Sequence, residues 1–367
     1  MPTASPLRAG IIGAGFIGGV HAYAVRASGG VVSQIADSTP ESARRAAQRL
    51  GALSAAESPA ALIASDSVDV VHICTPNDTH HDLAMAAMQA GKAVICEKPL
   101  ATSREQAVEL AVTARDTGSV TSMPFIYRFY PAVREARHRI ASGEAGSLWM
   151  LHGSYLQDWL SGSQETNWRV DPAKGGGSRA FGDIGVHWCD LMEFTTGHRI
   201  TRLVARLSTA YQSRAGDTGE AIVGTEDGAV ILFETDRGAA GSLVVSQVSL
   251  GRKNRLWFSF DGTGAAFVFD QEQPDSLWIG GRSANRIVPR GPDTFDADGG
   301  GGYARLPAGH PQGYQDSFSA FVADAYAAIG GDCPEGLPTF DDGLRAAVIT
   351  DAVLTSAAKD AWVEVAA

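Results

Sequence analysis

Apolar positions along this chain follow two regimes, and the change of period marks where one architecture gives way to another. Over the first third, apolar runs of strand length alternate with stretches at helical spacing, the signature of repeated strand–helix–strand units. Leu7–Ile12 and Val31–Ala36 read as strands, followed by Val68–Cys74, Ala93–Cys96 and Ser119–Met123. Phe16–Ala27, Pro40–Leu50, Asp82–Ala90 (closed by Gly91) and the stretch from the cap Ser103 to Arg115 read as helices. Parallel strands with right-handed crossovers predict an α/β domain with a doubly wound sheet. From Ile200 to Ile279 the period shortens to two, which predicts an antiparallel sheet. Its clearest strands are Ala229–Glu234, Gly241–Ser249, Leu256–Asp261 and Ala265–Asp270, with a hairpin turn at Asp261-Gly262-Thr263-Gly264. The Gly-rich span Arg290–Pro307 reads as the least ordered stretch, a loop over the substrate entrance. Gln315–Ile329 and Phe340–Ala358 are the closing helices.

One glycine turn changes this picture from architecture to chemistry. Gly13-Ala14-Gly15-Phe16-Ile17-Gly18 follows the first strand directly, and Asp37 ends the second strand 19 residues beyond Gly18. Such a layout suits a dinucleotide. One glycine makes the turn, the next lets backbone N–H groups approach a pyrophosphate, and the third lets helix pack on strand. The helix N-terminus supplies partial positive charge. A carboxylate at Asp37 accepts hydrogen bonds from ribose hydroxyls and repels a 2′-phosphate, so the expected cofactor is NAD rather than NADP.

Two further strand ends carry unusual residues. Thr75-Pro76-Asn77-Asp78-Thr79-His80 and Glu97-Lys98-Pro99 each follow a strand, where ligands meet open α/β sheets. A lysine desolvated in such a cleft becomes a usable acid or base, although Lys98 could equally pair with Glu97 or a phosphate.

Composition narrows the class. A chain of 367 residues exceeds one ordinary core and predicts two domains, drawn here at 1–126 and 127–367, with the C-terminal helices able to pack back on the first. A net charge of −11 disfavours nucleic acid and anionic membrane as partners. Cys74, Cys96, Cys189 and Cys333 show no paired spacing, which fits a reducing cytoplasm. The run Ala9–Val20 has the length of a signal-peptide core, but its glycines follow the dinucleotide spacing. No segment reaches transmembrane length.

The motifs Gly13–Gly18, Thr75-Pro76-Asn77 with His80, Glu97-Lys98-Pro99, Tyr127-Arg128-Phe129 and Asp183-Ile184-Gly185-Val186-His187 occur in that order. Together they resemble the Gfo/Idh/MocA oxidoreductases, over most of the chain. The resemblance implies a Rossmann domain that holds NAD through Gly13, Gly15, Phe16, Ile17, Asp37, Thr75, Pro76, Asn77, His80, Glu97 and Lys98. It also implies a second α+β domain with a large, open, mostly antiparallel sheet. One face of that sheet covers the cofactor cleft and the other makes a dimer or tetramer interface. A cis Lys98–Pro99 bond, common in the family, would aim the lysine inward. One departure is Ile126, where many relatives carry asparagine before the Tyr-Arg pair.

Within the family, Gly153–Trp159, Asn167–Pro172 and Gly175–Arg179 are similar to bacterial enzymes that oxidise a pyranose hydroxyl, often at C3. The implied reaction is NAD-dependent oxidation of a pyranose or anhydrosugar such as levoglucosan, with a glucoside or inositol next. A non-catalytic NAD-binding regulator is the alternative of another class, since the family includes a dinucleotide-sensing repressor. Retention of Lys98, Asp183 and His187 favours catalysis. On a helix, Asp183 and His187 share a face one turn apart, and Asp190 continues the stripe approximately. Lys98 is expected as the main acid/base or orienting group, with His187 as the partner that exchanges the proton and Asp183 as the positioning carboxylate. Sequence leaves open which of Lys98 and His187 is the base. Sugar recognition combines flat aromatic rings with fans of polar groups, and Tyr127, Arg128, Tyr155, Gln157, Asp158, Trp159, Trp168 and Arg169 supply both. In relatives the Trp-Arg pair also approaches the nicotinamide, so Trp168 and Arg169 are expected to serve the cofactor as well. His310 is implied to reach the sugar. Asp183, His187 and Cys189 make a poor zinc pattern, and no metal is expected.

Overall fold

The computed structural model describes residues 5–165, 167–216 and 219–366. Contacts divide the chain into two units. One runs through Ile126 and takes in Tyr314–Leu344; the other is Tyr127–Gly313 with the residues from Arg345 onward.

The first unit is built from β1 (Arg8–Ile12), α1 (Phe16–Ala27), β2 (Val31–Ala36), α2 (Pro40–Leu50), β3 (Ser54–Ala55), α3 (Pro59–Ile63), β4 (Val70–Ile73), α4 (His80–Gln89), β5 (Ala93–Cys96), α5 (Arg104–Thr117) and β6 (Thr121–Ser122). Its sheet runs β3-β2-β1-β4-β5-β6, with every pair parallel. The order reverses between β1 and β4, which makes that edge the crevice where ligands enter such sheets. Strand β4 is buried at every position, as a strand covered on both faces requires. Hydroxyl caps start three of the helices: Thr39 accepts from the Ser42 N–H, Ser58 from Ala61 and Ser103 from Gln106. The short β3 and α3 were not anticipated, because two and five residues are too few to display a period.

The second unit contains α6 (Pro131–Ala141), β7 (Leu148–Leu156), α7 (Pro172–Gly175), α8 (Val186–Thr196), β8 (Ile200–Ser208), the small hairpin β9 (Ser213–Gly216) and β10 (Gly219–Ile222), then β11 (Gly228–Thr235), β12 (Ala240–Ser246), β13 (Arg255–Gly262), β14 (Ala266–Asp270), β15 (Ser276–Gly280) and β16 (Asn285–Pro289). After α9 (Tyr314–Ile329), which belongs to the first unit, α10 (Phe340–Lys359) and β17 (Val363–Glu364) end the chain. The large sheet runs β16-β15-β14-β13-β7-β12-β11-β8-β17 and is antiparallel except between β7 and β12. The hairpin at Asp261–Gly264 forms, with the Gly262 N–H donating to the Ala265 carbonyl at 3.0 Å. Strand β12 stops at Ser246 rather than Ser249: the Gln247 N–H still meets the Asp227 carbonyl in register, but its carbonyl turns to the Leu160 N–H beyond the end of β7.

Helix α8 is seated on the inner face of this sheet by Trp188. The indole lies against Phe233 and Phe260 and donates to the Trp257 carbonyl at 2.9 Å. Room for it exists because residue 153 is glycine: a Cβ there would sit 2.4 Å from the indole nitrogen. The span Arg290–Pro307 departs from expectation. It is packed against α6, where Glu135 accepts the N–H groups of Asp296 and Gly300, and Arg290 is buried against Asp275 and Gln312. Its glycines permit close approach rather than looseness: a Cβ on Gly300 would lie 2.2 Å from the Pro131 carbonyl oxygen.

Candidate active site

In the first unit, the three fingerprint glycines meet three different constraints. Gly13 has φ +90°, and a Cβ there would lie 2.6 Å from the Cys74 carbonyl oxygen. A Cβ on Gly18 would lie 2.2 Å from the Gly13 carbonyl oxygen, so α1 crosses β1 at backbone contact. Gly15, in contrast, faces open space, with no atom within 4 Å of its Cβ position. Unlike α2, α3 and α5, helix α1 has no side-chain cap, and unlike α2 and α5 it has no acid in its first turn. Its first N–H groups are therefore directed at an uncovered cradle, which fits a pyrophosphate. Phe16 and Ile17 open this helix, and Asp37 lies just past β2, with Oδ1 accepting the Ser38 N–H.

Thr75, Pro76 and Asn77 leave β4 toward the same sheet end, and Glu97 and Lys98 leave β5. The Lys98–Pro99 bond is cis. His80 differs from the expected cofactor ligand. Both ring nitrogens face backbone carbonyls, Nδ1 to Pro99 at 2.8 Å and Nε2 to Thr75 at 3.0 Å, so this fully buried ring ties the two strand-end loops together. Burial pushes the His80 pKa down against the opposing pull of those carbonyls.

Glu97 likewise turns inward. Its Oε1 accepts from His21 Nε2 at 3.2 Å, and its Oε2 accepts the Lys98 N–H at 3.1 Å. His21 Nδ1 contacts His72 Nδ1 at 2.8 Å, and His72 Nε2 reaches the Tyr326 hydroxyl of α9 at 3.0 Å. Burial raises the Glu97 carboxyl, but the hydrogen bond and charge of His21, with Lys98 and His80, outweigh it and hold Glu97 below the usual range. Burial, then the neighbouring His21, push His72 well down. Glu97 is thus an ionised anchor under the lysine loop.

In the second unit, Asp183 lies in a π-turn, Phe181–Gly185, that runs straight into α8, where His187 is the second residue. The expected regular helix is therefore wider at Asp183. Buried charges fix its entry: Glu226 accepts the Phe181 N–H at 2.9 Å and the Ser178 hydroxyl at 2.7 Å, while Arg179 pairs with Asp227. Asp183 Oδ2 accepts from Gln247 Nε2 at 2.8 Å, and its Oδ1 stands 3.5 Å from Arg169 Nε. The Arg169 guanidinium stacks over Trp168 at 4.3 Å. His187 meets the ring of Tyr127 edge-on at 5.1 Å.

A polar chain continues from that tyrosine. The Tyr127 and Tyr155 hydroxyls are hydrogen-bonded, Tyr155 donates to Asn254 Oδ1 at 2.8 Å, and Gln157 Nε2 donates to the same oxygen at 2.7 Å. Trp159 Nε1 donates to Gln157 Oε1 at 2.8 Å. Burial, opposed by hydrogen bonds with Tyr155 and Asn254, pushes the Tyr127 pKa up to about 12, so it stays a phenol at neutral pH.

Two of the expected sugar contacts, Arg128 and Asp158, meet protein partners. Arg128 forms a buried ion pair with Asp190, Nε to Oδ2 at 2.8 Å, and lies over Phe194. Asp158 holds Lys253 at 2.7 Å and the Gly251 N–H at 3.1 Å. His310 is exposed, its ring makes no hydrogen bond among the described residues, and its carbonyl accepts from Arg290. Among the described residues, no cluster of three His, Cys, Asp or Glu side chains is placed to hold a metal, and burial pushes the Cys189 thiol up.

Gln247 and Asn254 were missed. Both carry a readable signal: Gln247 is in phase with the inward-facing Gly241, Leu243 and Val245, and Asn254 with Leu256, Phe258 and Phe260. An amide on the apolar face of a strand needs a partner, and here the partners are the site.

Comparison with known proteins agrees with this geometry. Residues 7–125 match the oxidoreductase family with an NAD-binding Rossmann fold, and residues 133–268 match the GFO/IDH/MocA C-terminal domain. The chain is 32% identical to levoglucosan dehydrogenase of Pseudarthrobacter phenanthrenivorans over 98% of both chains, and 26% identical to inositol 2-dehydrogenase of Rhizobium meliloti over 98% and 99%. A solved levoglucosan dehydrogenase in complex with NADH and levoglucosan superposes with a TM-score of 0.92 at 32% identity, covering 99% of this chain and all of that one. The chain belongs to the Gfo/Idh/MocA family of NAD-binding oxidoreductases.

Proposed function

We propose that the protein is an NAD-dependent dehydrogenase that oxidises a secondary hydroxyl, at C3, of a pyranose or anhydrosugar such as levoglucosan to the keto-sugar. The observation that carries this reading is that His187, in the helix that Asp183 leads into, meets the ring of buried Tyr127, from which hydrogen bonds run through Tyr155, Asn254 and Gln157 to Trp159 and present both hydroxyls and rings. Such a set suits a polyhydroxylated ring. Bound NAD supplies the hydride acceptor. Lys98 orients the reactive hydroxyl and takes its proton, His187 exchanges that proton onward, and Asp183 orients the imidazole and balances its charge. Tyr127 and Trp159 bear on the sugar ring. Relatives that act on levoglucosan, inositol and, in Escherichia coli over about half the chain, D-glucosides mark the substrate class.

The same reading gives the outer face of the large sheet to contact between copies of the chain. Val230, Leu232 and Val244 are about half exposed there on adjacent strands. Among the described residues no helix is long and apolar enough to cross a membrane, and the buried thiols Cys74, Cys96 and Cys189 suit a reducing cytoplasm. The deciding experiment is NADH formation with levoglucosan, glucose, methyl glucosides, myo-inositol and xylose, using NAD and NADP in parallel. Turnover confined to inositol moves the assignment to a polyol dehydrogenase. NAD binding without turnover on any sugar favours the regulator.

A further inference from the structure

Gln247 is fully buried, yet only one end of its amide is used. Nε2 donates to Asp183 Oδ2 at 2.8 Å, while Oε1 has no hydrogen-bond partner among the described residues. Its backbone is fixed on both sides, the N–H to the Asp227 carbonyl and the C=O to the Leu160 N–H. Flipping the amide would place two oxygens against each other unless the carboxyl carried a proton. The observed orientation is therefore the one that an ionised Asp183 selects. A buried carbonyl without a donor destabilises a fold, whereas an apolar side chain of the same shape would not. Packing alone gives no reason for an amide here.

We infer that Gln247 is a positioning residue that keeps the Asp183 carboxylate ionised and fixed in direction, at the expense of stability. This deepens the dehydrogenase reading and rests on it for its kinetic consequence. Arg169, which also faces Asp183, stands at 3.5 Å and is partly exposed, so of these two Gln247 supplies the shorter and drier contact. Loss of that donor raises the Asp183 pKa, because a hydrogen bond to the charged form favours that form.

The test uses Gln247→Met, which keeps length and volume and removes both amide ends, and Gln247→Glu, which sets a second carboxylate against Asp183. The readouts are the thermal midpoint, the pH profile of kcat, and the carboxyl carbon signal of Asp183 followed by NMR against pH. In Gln247→Met the midpoint is expected to hold or rise, while the acid limb of kcat and the Asp183 titration both move up by about one pH unit. Turnover then falls at neutral pH and recovers as pH is raised. Gln247→Glu should shift both further. An unmoved Asp183 titration in Gln247→Met overturns the inference, as does a lowered midpoint with turnover reduced equally at every pH. If the wild-type protein turns over no sugar, the dehydrogenase reading fails, and the Asp183 titration alone still decides this one. Should Gln247→Met not fold, Gln247→Leu carries the same measurements.

Discussion

Lys98 and Asp37 are the residues whose roles are most sharply separable. If Lys98 takes the hydroxyl proton, Lys98→Ala should lower kcat by about 10²–10⁴-fold while NADH affinity, read by fluorescence titration, changes little. Comparable turnover in variant and wild type would remove the proton-handling role. If Asp37 meets the adenosine ribose at the other end of the cofactor, Asp37→Ala should narrow the ratio of kcat/KM for NAD over NADP, since the carboxylate that repels a 2′-phosphate is gone. An unchanged ratio would move ribose discrimination elsewhere. The places of both, just past the ends of β5 and β2, were legible from spacing, as were the fingerprint glycines. Their neighbours were less so. His80 and Arg128 carry the right chemistry for ligands, but each meets a protein partner, the carbonyls of Pro99 and Thr75 and the carboxylate of Asp190. Sequence shows which groups could bind; only tertiary contact shows which are already satisfied.

Element positions depend on a few close approaches. Helix α8 carries His187, and its height over the sheet is set where Trp188 meets Gly153. Gly153→Ala should push the indole off the sheet and destabilise the protein by about 1–3 kcal/mol, measured by urea unfolding, with turnover falling too. A variant as stable as the parent would mean that α8 is held elsewhere. The long helices and most strands were readable because periodicity and caps agree over many residues. The π-turn at Asp183 was not, since a single wide turn leaves no mark on period and is fixed by Glu226 and Asp227 some 45 residues away. Gln247 and Asn254 lay within reach: both sit where the inward phase of a strand changes from apolar to amide at one end of the sheet.

At the scale of the molecule, pH dependence follows from the buried ring chain. His72 and His80 have lowered pKa values in the fold, so below about 6.5 the unfolded chain binds protons that the fold refuses. Stability should therefore decline as pH falls from about 7 to 5.5, by up to about 1.4 kcal/mol per pH unit for each ring kept neutral. A second loss should follow below about 4, as Glu97 and Asp227, held low in the fold, are protonated. Urea midpoints that stay flat between pH 7 and 5.5 would contradict the first step. The first unit is also discontinuous. Periodicity revealed α9 as a helix, but not that Phe318 would lie 4.7 Å from His21 or that Tyr326 would fill the space beside Gly30. Assembly inherits that discontinuity. Tyr314 leaves the ribosome 188 residues after Ile126, a delay on the order of 10–40 s at ordinary synthesis rates. Throughout that interval the nascent nucleotide fold lacks the helix that covers α1, so protease cuts within its first 126 residues should persist in stalled chains and vanish only once Leu344 has cleared the exit tunnel.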